Sequence, residues 1–350
     1  MKINFGSKST LSWLFGLMFA IAASLTTTSC IMEPEGDCDV RYQVEIRFTY
    51  NLMEVDAFAS KVPSVTLFVF DKSGNLVTSK SESGEALQRE HYTMQIDVEP
   101  GTYDLVAWCG LENNDNFTLN RGKDPVTIDD LKVRLERDYR GDEIRSAKQL
   151  KPVFHDIKRD VVFPDYTQQL GDVKVATMDL IKDTNTIRII LTHYNGEKID
   201  PEDFSFSITD NNGWMDFDNS LLDDDVITYR EWDKRDMPTV ETDEMPDSGV
   251  EITDVNTMIA EIDVARLLTS QNPRLTIRAK GRDDAVLSLP IIQLLLHAKG
   301  EARRKMPDQE YLDRQDEYHM MFFLNGDNSW YTSLGIYING WHMRYQETEI

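Results

Sequence analysis

The segment VRYQVEIRFTY, residues 40–50, decides the fold class. Val40, Tyr42, Val44, Ile46, Phe48 and Tyr50 are apolar, and Arg41, Gln43, Glu45, Arg47 and Thr49 between them are polar. Successive side chains of a strand point to opposite faces, so unbroken alternation of this length describes a strand with one buried face. The signal recurs downstream. VTLFVF (65–70) runs into the turn DKSG, and YTMQIDV (92–98) leads through the turn pair Pro100-Gly101 into YDLVAW (103–108). VTIDDLKVRLE (126–136) is a further candidate. The second half continues with TIRIILTHY (186–194), FSFSI (204–208), MIAEIDV (258–264), RLTIRAK (274–280), YHMMFFL (318–324) and WYTSLGIYINGWHMRY (330–345). Helical spacing is confined to Ile291, Leu294, Leu295 and Ala298, with Pro290 suited to a start and Gly300 to a stop. The least patterned stretch, 140–172, is expected to hold loops. The class is all-β, organised as two sandwiches.

The N-terminus has a different character. Residues 1–10 carry Lys2 and Lys8 and no acid, and residues 11–25, LSWLFGLMFAIAASL, form an apolar block. Small hydroxyl residues follow, then Cys30. A basic start, an apolar block too short for a spanning helix of about 20 residues and a small-residue tail make a secretory signal peptide over 1–29. A bacterial lipoprotein is cut just before a cysteine whose thiol accepts acyl chains, which explains why a cysteine stands at position 30. Thr27 occupies the place where a lipobox carries Leu, and Leu25 lies two residues further back. The alternative is a disulfide cysteine beside an ordinary cleavage site. The remaining chain is long enough for two domains, 30–183 and 184–350, with the junction in LIKDTNT.

Composition removes several function classes. Lys and Arg number 37 against 61 Asp and Glu, a formal net charge of −24. Such a chain lacks the positive surface that holds nucleic acid or anionic lipid. With 15 Phe, 13 Tyr and 6 Trp it can bury a real core. Export places Cys38 and Cys109 in an oxidising compartment, where they stand as a candidate disulfide pair, two separate thiols being the alternative.

Catalytic and metal signals are missing. His91, His155, His193, His297, His319 and His342 show no metal-ligand spacing, and no nucleophile elbow or phosphate-cradling glycine loop occurs. DNNGWMDFDNSLLDDD (210–225) offers oxygen ligands, but the order of acids and glycine is wrong for a calcium loop. Asn212-Gly213 within it reads as a hairpin turn. We therefore assign no catalytic, cofactor-binding or metal residue, and expect no enzyme and no cofactor.

The tail DQEYLDRQDEYHMMFFLNGDNSWYTSLGIYINGWHMRYQ (308–346) resembles the C-terminal region of the FimB-type fimbrial anchor subunits, minor lipoprotein subunits of type V pili in Gram-negative gut and oral anaerobes. Residues 44–77 resemble that family's opening pair of strands, PGTYDLVAWCG (100–110) its next hairpin and residues 208–229 its second-domain hairpin. The resemblance implies two tandem transthyretin-like β-sandwich domains after a lipoprotein signal peptide. It also implies an outer-membrane lipoprotein at the cell surface that holds the fimbrial base, limits shaft elongation and joins a shaft pilin by β-strand complementation. A different reading is a surface lipoprotein that binds glycans or host ligands through loop aromatics, with Trp214, Trp232 and Trp330 as candidates. If Cys30 is the acyl acceptor, Cys30→Ala abolishes incorporation of radiolabelled fatty acid; undiminished label in the variant refutes the assignment.

Overall fold

The computed structural model describes residues 43–344 except 54, 90, 165–173 and 238–255. The alternating segment is the core of β1, Gln43–Leu52, in which Val44, Ile46, Phe48 and Tyr50 are buried. β1 pairs antiparallel with β2 (Val55–Asp56) and β5 (Thr93–Asp97), and parallel with β12 (Val175–Lys182). A second run of strands has the order β11 (Phe154–Phe163), β6 (Gly101–Cys109), β3 (Ser64–Phe70), β4 (Leu76–Ser83). The two runs join where β11 meets β12, at Phe154↔Lys182 and His155↔Ile181. Inward side chains of both make one core: Ile46 and Phe48 of β1 and Met178 of β12 with Leu67 of β3, Leu105 of β6 and Phe163 of β11. Helix α1, Phe58–Lys61, adds Phe58, which stacks on Phe48 at 5.9 Å and on Tyr92 at 5.6 Å.

Two six-stranded sheets form the second sandwich. One has the order β20 (Leu287–Pro290), β19 (Arg274–Ala279), β14 (Phe204–Asp210), β16 (Ile227–Arg230), β10 (Glu143–Ser146), β9 (Asp138–Arg140). The other has the order β17 (Asp233–Met237), β18 (Thr257–Ala265), β13 (Thr184–His193), β21 (Glu317–Leu324), β22 (Ile336–Ile338), β23 (Trp341–Met343). A small sheet of β15 (Trp214–Met215), β8 (Val133–Leu135) and β7 (Phe117–Leu119) lies beside them in sequence. Phe206, Ile277 and Tyr229 share a core with Ile189, Ile262 and Phe322. The periodic piece near 291 is helix α2, Ile291–His297, which buries Ile291, Ile292 and Leu295; α3, Asp308–Asp313, buries Tyr311 and Leu312. The all-β sandwich class is therefore as the sequence predicts. Asp183 separates β12 from β13, and β9 and β10, which precede it, pair into a sheet with strands that follow it.

The stretch 140–172, expected to be loops, contains β10 and the ten-residue β11. The reason is a bulge. β11 pairs with β6 at Lys158↔Leu105 and then at Val161↔Tyr103, so one extra residue enters β11, and Asp160 takes φ +57°. The bulge flips which residues face inward: Phe154 is buried before it, Val161 and Phe163 after it, and even–odd alternation is lost. Asp104 pins the bulge. Its carboxylate accepts from the Asp160 amide at 3.0 Å, Lys72 at 2.9 Å and Arg159 at 2.6 Å. Burial pushes this carboxyl up, but those three partners outweigh it and hold it at about 2.

Other expectations change in detail. The 126–136 candidate is a 3₁₀ turn, Ile128–Asp130, with a Thr127/Asp130 capping box, followed by the short β8. Pro100-Gly101 does not close a hairpin between β5 and β6: β5 pairs with β1, whereas β6 pairs with β3 and β11. Asn212-Gly213 is not a tight hairpin turn either. Asn212 is fully buried, accepts from the Tyr229 hydroxyl at 2.6 Å and donates to the Ala265 and Arg266 carbonyls at 3.1 and 3.0 Å. A Cβ on Gly213 would lie 2.3 Å from Ile227.

Three reversals share one chemistry. At 71–75, 216–220 and 325–329 the first amide bonds the fifth carbonyl, and the fourth residue is left-handed: Gly74 at φ +81°, Asn219 at +64°, Asn328 at +63°. Asp71, Asp218 and Asp327 each accept from the amide two residues on. Gly110 is constrained further: φ is +79°, and a Cβ would sit 2.1 Å from the Pro152 carbonyl oxygen. Gly84, at φ +71°, faces open space. Gly84→Ala then costs roughly 1–2 kcal/mol for the left-handed conformation. Gly110→Ala costs more than about 3 kcal/mol, because rigid backbone must also move. Denaturant unfolding of both variants checks the difference, and equal losses contradict it.

Candidate functional site

Cys30, Cys38 and the signal segment 1–29 lie outside the described residues. Cys109, at the end of β6, is fully buried and, among the described residues, unpaired; burial pushes its thiol up. Among the described residues no helix is long and apolar enough to cross a membrane.

A protein that joins a neighbour by strand addition does so at a sheet edge, so the edges are the surfaces to inspect. β4 is the longest. Its Thr78, Lys80 and Glu82 pair with Val69, Leu67 and Val65 of β3, and therefore stand on the core-facing side. Lys80 Nζ donates to the Gln95 carbonyl of β5 at 3.1 Å, and Glu82 accepts from the Tyr92 hydroxyl at 2.9 Å. Lys80 and Glu82 also pair at 3.0 Å. Inward-pointing charge on an edge strand opposes pairing with another chain, because an added strand would bury it. β17 is charged at Asp233, Lys234, Arg235 and Asp236, β9 spans three residues, and β20 ends in Pro290.

β23 differs. Trp341-His342-Met343 has neither a formal charge nor a proline. It follows Asn339-Gly340 at φ +48° and +80°, the left-handed pair of a two-residue hairpin turn that closes Ile338↔Trp341. Trp341 is 54% exposed, and a Cβ on Gly300 would lie 3.0 Å from its ring. The His342 ring stacks on Tyr337 at 4.7 Å and donates through Nε2 to the Leu334 carbonyl at 2.9 Å. The hairpin belongs to the tail that the sequence singles out.

The same tail locks β1 in place. Tyr50 donates to Asp316, whose other oxygen lies 3.4 and 3.5 Å from Lys61 and Lys182. The Met53 amide donates to the Arg314 carbonyl, and Arg314 donates back to the Met53 carbonyl, both at 3.1 Å. A cleft of about 210 Å³ opens beside this link. Its carboxylates are engaged: Asp179 with the Thr49 hydroxyl at 2.6 Å, Glu310 with Arg314 at 2.6 Å, Asp313 with Arg266 at 2.9 Å.

The tryptophans named as glycan candidates are half-buried. Arg134 lies over Trp214 at 5.3 Å, Trp330 meets Phe322 edge-on at 6.2 Å, and Trp232 precedes β17. In the acidic segment, Asp224 takes Arg137 at 2.6 Å and Arg134 at 3.2 Å. His155 is held down to about 4 by burial, although its bond to the Phe217 carbonyl at 2.8 Å works the other way; its ring lies 4.5 Å from that of Trp108. His319 lies on β21, 3.2 Å from Arg188. Among the described residues no group of three or more His, Cys, Asp or Glu could hold a metal ion.

Comparison with known proteins follows the same outline. The family model of the fimbrillin-A associated anchor proteins Mfa1 and Mfa2 matches residues 34–347. No curated protein sequence matches the chain. Among solved structures, a candidate adhesin from Bacteroides thetaiotaomicron is 30% identical with a TM-score of 0.70, over 86% of this chain and 97% of that one. A candidate polysaccharide-binding protein from the same organism is 28% identical with a TM-score of 0.69, over 87% and 98%. The fimbrial anchor protein Mfa2 from Porphyromonas gingivalis, at 14% identity, shares the fold with a TM-score of 0.61, over 87% of this chain and 100% of that one. With a family match that runs through both sandwiches, the chain belongs to the fimbrillin-A associated anchor proteins.

Proposed function

We propose that this protein anchors the base of a fimbria in the outer membrane of a Gram-negative cell. The observation that carries the reading is the family match from residue 34 to residue 347, which begins just after Cys30 and takes in the whole described chain. Lipid on Cys30 supplies the membrane hold, since each buried CH₂ contributes about 0.8 kcal/mol and several chains together resist extraction. Main-chain pairing with a shaft pilin supplies the other end. An anchor that offers one competent edge, with lipid in place of a second, ends the row of subunits and limits elongation.

Deleting the gene and complementing with wild type or Cys30→Ala tests this by electron microscopy and fractionation. Long fimbriae shed into the medium from both defective strains are expected. Fimbriae unchanged on the cell eliminate the anchor role. They would favour a second reading, glycan capture, which draws on the 28% identical candidate polysaccharide-binding protein and on the exposed ring of Trp341. Edge protection generates its own test. Replacing Lys80 and Glu82 together by Val removes the charge that opposes pairing at β4. The double variant is expected to form concentration-dependent dimers in light scattering; a persistent monomer refutes the protective role.

A further inference from the structure

Asp183, the residue between β12 and β13, is fully buried. Its Oδ1 accepts from Asn219 Nδ2 at 2.8 Å. Its Oδ2 and the Oδ1 of Asn219 are also buried, and neither has a hydrogen-bond partner among the described residues. Two orphaned oxygens on one already bonded acid–amide pair is a specific pattern. Both are acceptors if Asp183 is ionised, and no hydrogen is available between them. One proton satisfies both: the acid O–H donates to the amide oxygen while the amide N–H donates to the acid oxygen, closing a ring of two hydrogen bonds.

The surrounding charges do not supply an alternative partner. Arg266 Nε lies 3.9 Å from Asp183, but its guanidinium is spent on Asp313 through a fork of two 2.9 Å bonds, and its third nitrogen reaches the Asn219 carbonyl at 3.3 Å. Lys182 turns to Asp316 at 3.5 Å. The Asp218 carboxylate is exposed and holds the Ser220 amide and hydroxyl. His155 stays neutral through burial, and burial likewise keeps the protons of Tyr50 and Cys109 in place. Asp183 thus faces one neutralised arginine and otherwise groups that cannot compensate a negative charge.

We propose that Asp183 is a protonated carboxylic acid in the folded protein, and that its ring with Asn219 is a pH-sensitive latch between the β12–β13 link and the 216–220 turn. Ionisation removes the bridging proton and sets a carboxylate against an amide oxygen. Burial raises the Asp183 pKa to about 7 from an ordinary 3.8, outweighing Arg266 and the Asn219 bond. A raised folded-state value means that the latch's stabilisation is complete below the unfolded value of 3.8 and is lost as pH rises through about 7.

Asp183→Asn tests the latch, because an amide in that place closes the same ring with Asn219 and has no proton to lose. In wild type the melting midpoint falls between pH ~5 and pH ~9; in D183N that fall shrinks by about 4 °C or more, and at pH ~9 the variant melts above wild type. Infrared difference spectra of the wild type against D183N should show the carbonyl stretch of a protonated acid at pH ~5, fading through neutrality. An ionised Asp183 at pH ~5, or a D183N protein that melts below wild type at both pH values, overturns the proposal.

Discussion

Strands β3 and β6 bury both of their faces. Val65, Leu67 and Val69 with Leu105, Ala107 and Cys109 point into the first core, while Phe68, Phe70, Val106 and Trp108 point into the second. One pair of strands is therefore a wall common to both sandwiches. Each fully buried large side chain contributes about 1.5–3 kcal/mol. Detaching the second core would expose Phe68, Phe70 and Trp108 together. The shared wall also explains why the chain between β6 and β11 leaves the first sandwich. It builds β7 to β10, with Phe117, Val133 and Leu135 of β7 and β8 in the same core as the wall's outer residues, before β11 returns beside β6.

That double burial set what could be read in the sequence. Where one face is buried, as in β1 or β14, alternation is clean and the strands are found at their expected places. Where both faces are buried, VTLFVF and LVAWC read as continuous apolar runs, still recognisable as strands but silent about what covers them. β11 does not read as a strand in the sequence because its bulge changes parity halfway and its middle residues are charged. Asn212-Gly213 reads as a hairpin turn and is not one, whereas Asn339-Gly340, inside the strand candidate 330–345, closes the hairpin of β22 and β23. Asn212 is drawn inward by Tyr229, Ala265 and Arg266, whereas Asn339 exchanges two hydrogen bonds with His319 of the neighbouring β21 while its turn joins β22 to β23.

The site was less legible than the fold, for a physical reason. In the strand-joining role proposed for this chain, the chemistry lies in main-chain groups at an edge, and side chains reveal an edge only through register. LVTSKSES is polar at every position after Val77 and is not among the strands the sequence predicts. Only its pairing with β3 shows that the polar set, Thr78, Lys80 and Glu82, is the inward one. Likewise the acidic segment 210–225, whose order of acids and glycine already argues against a calcium loop, shows what its acids do only when Asp224 is seen holding two arginines and Asn219 closing on Asp183.

Edge protection and the tail together constrain how such a molecule can meet a neighbour. β4 carries inward charge, β17 carries charge along its length, and β9 and β20 are short, with a proline ending β20. Each of these devices raises the cost of adding a strand, because it buries charge or removes a donor. β23 is as short as β9 but carries neither formal charge nor proline, and it presents an exposed tryptophan on a hairpin closed by its own Asn-Gly turn. The sheet that carries β23 continues through β22 and β21 into β13, and the link preceding β21 is the one that holds β1 through Asp316 and Arg314. Force applied at that hairpin would pass through hydrogen-bonded strands to the short link before β21, and from its Arg314 and Asp316 into β1 of the first sandwich. Such continuity is what the proposed anchoring role would require of the tail.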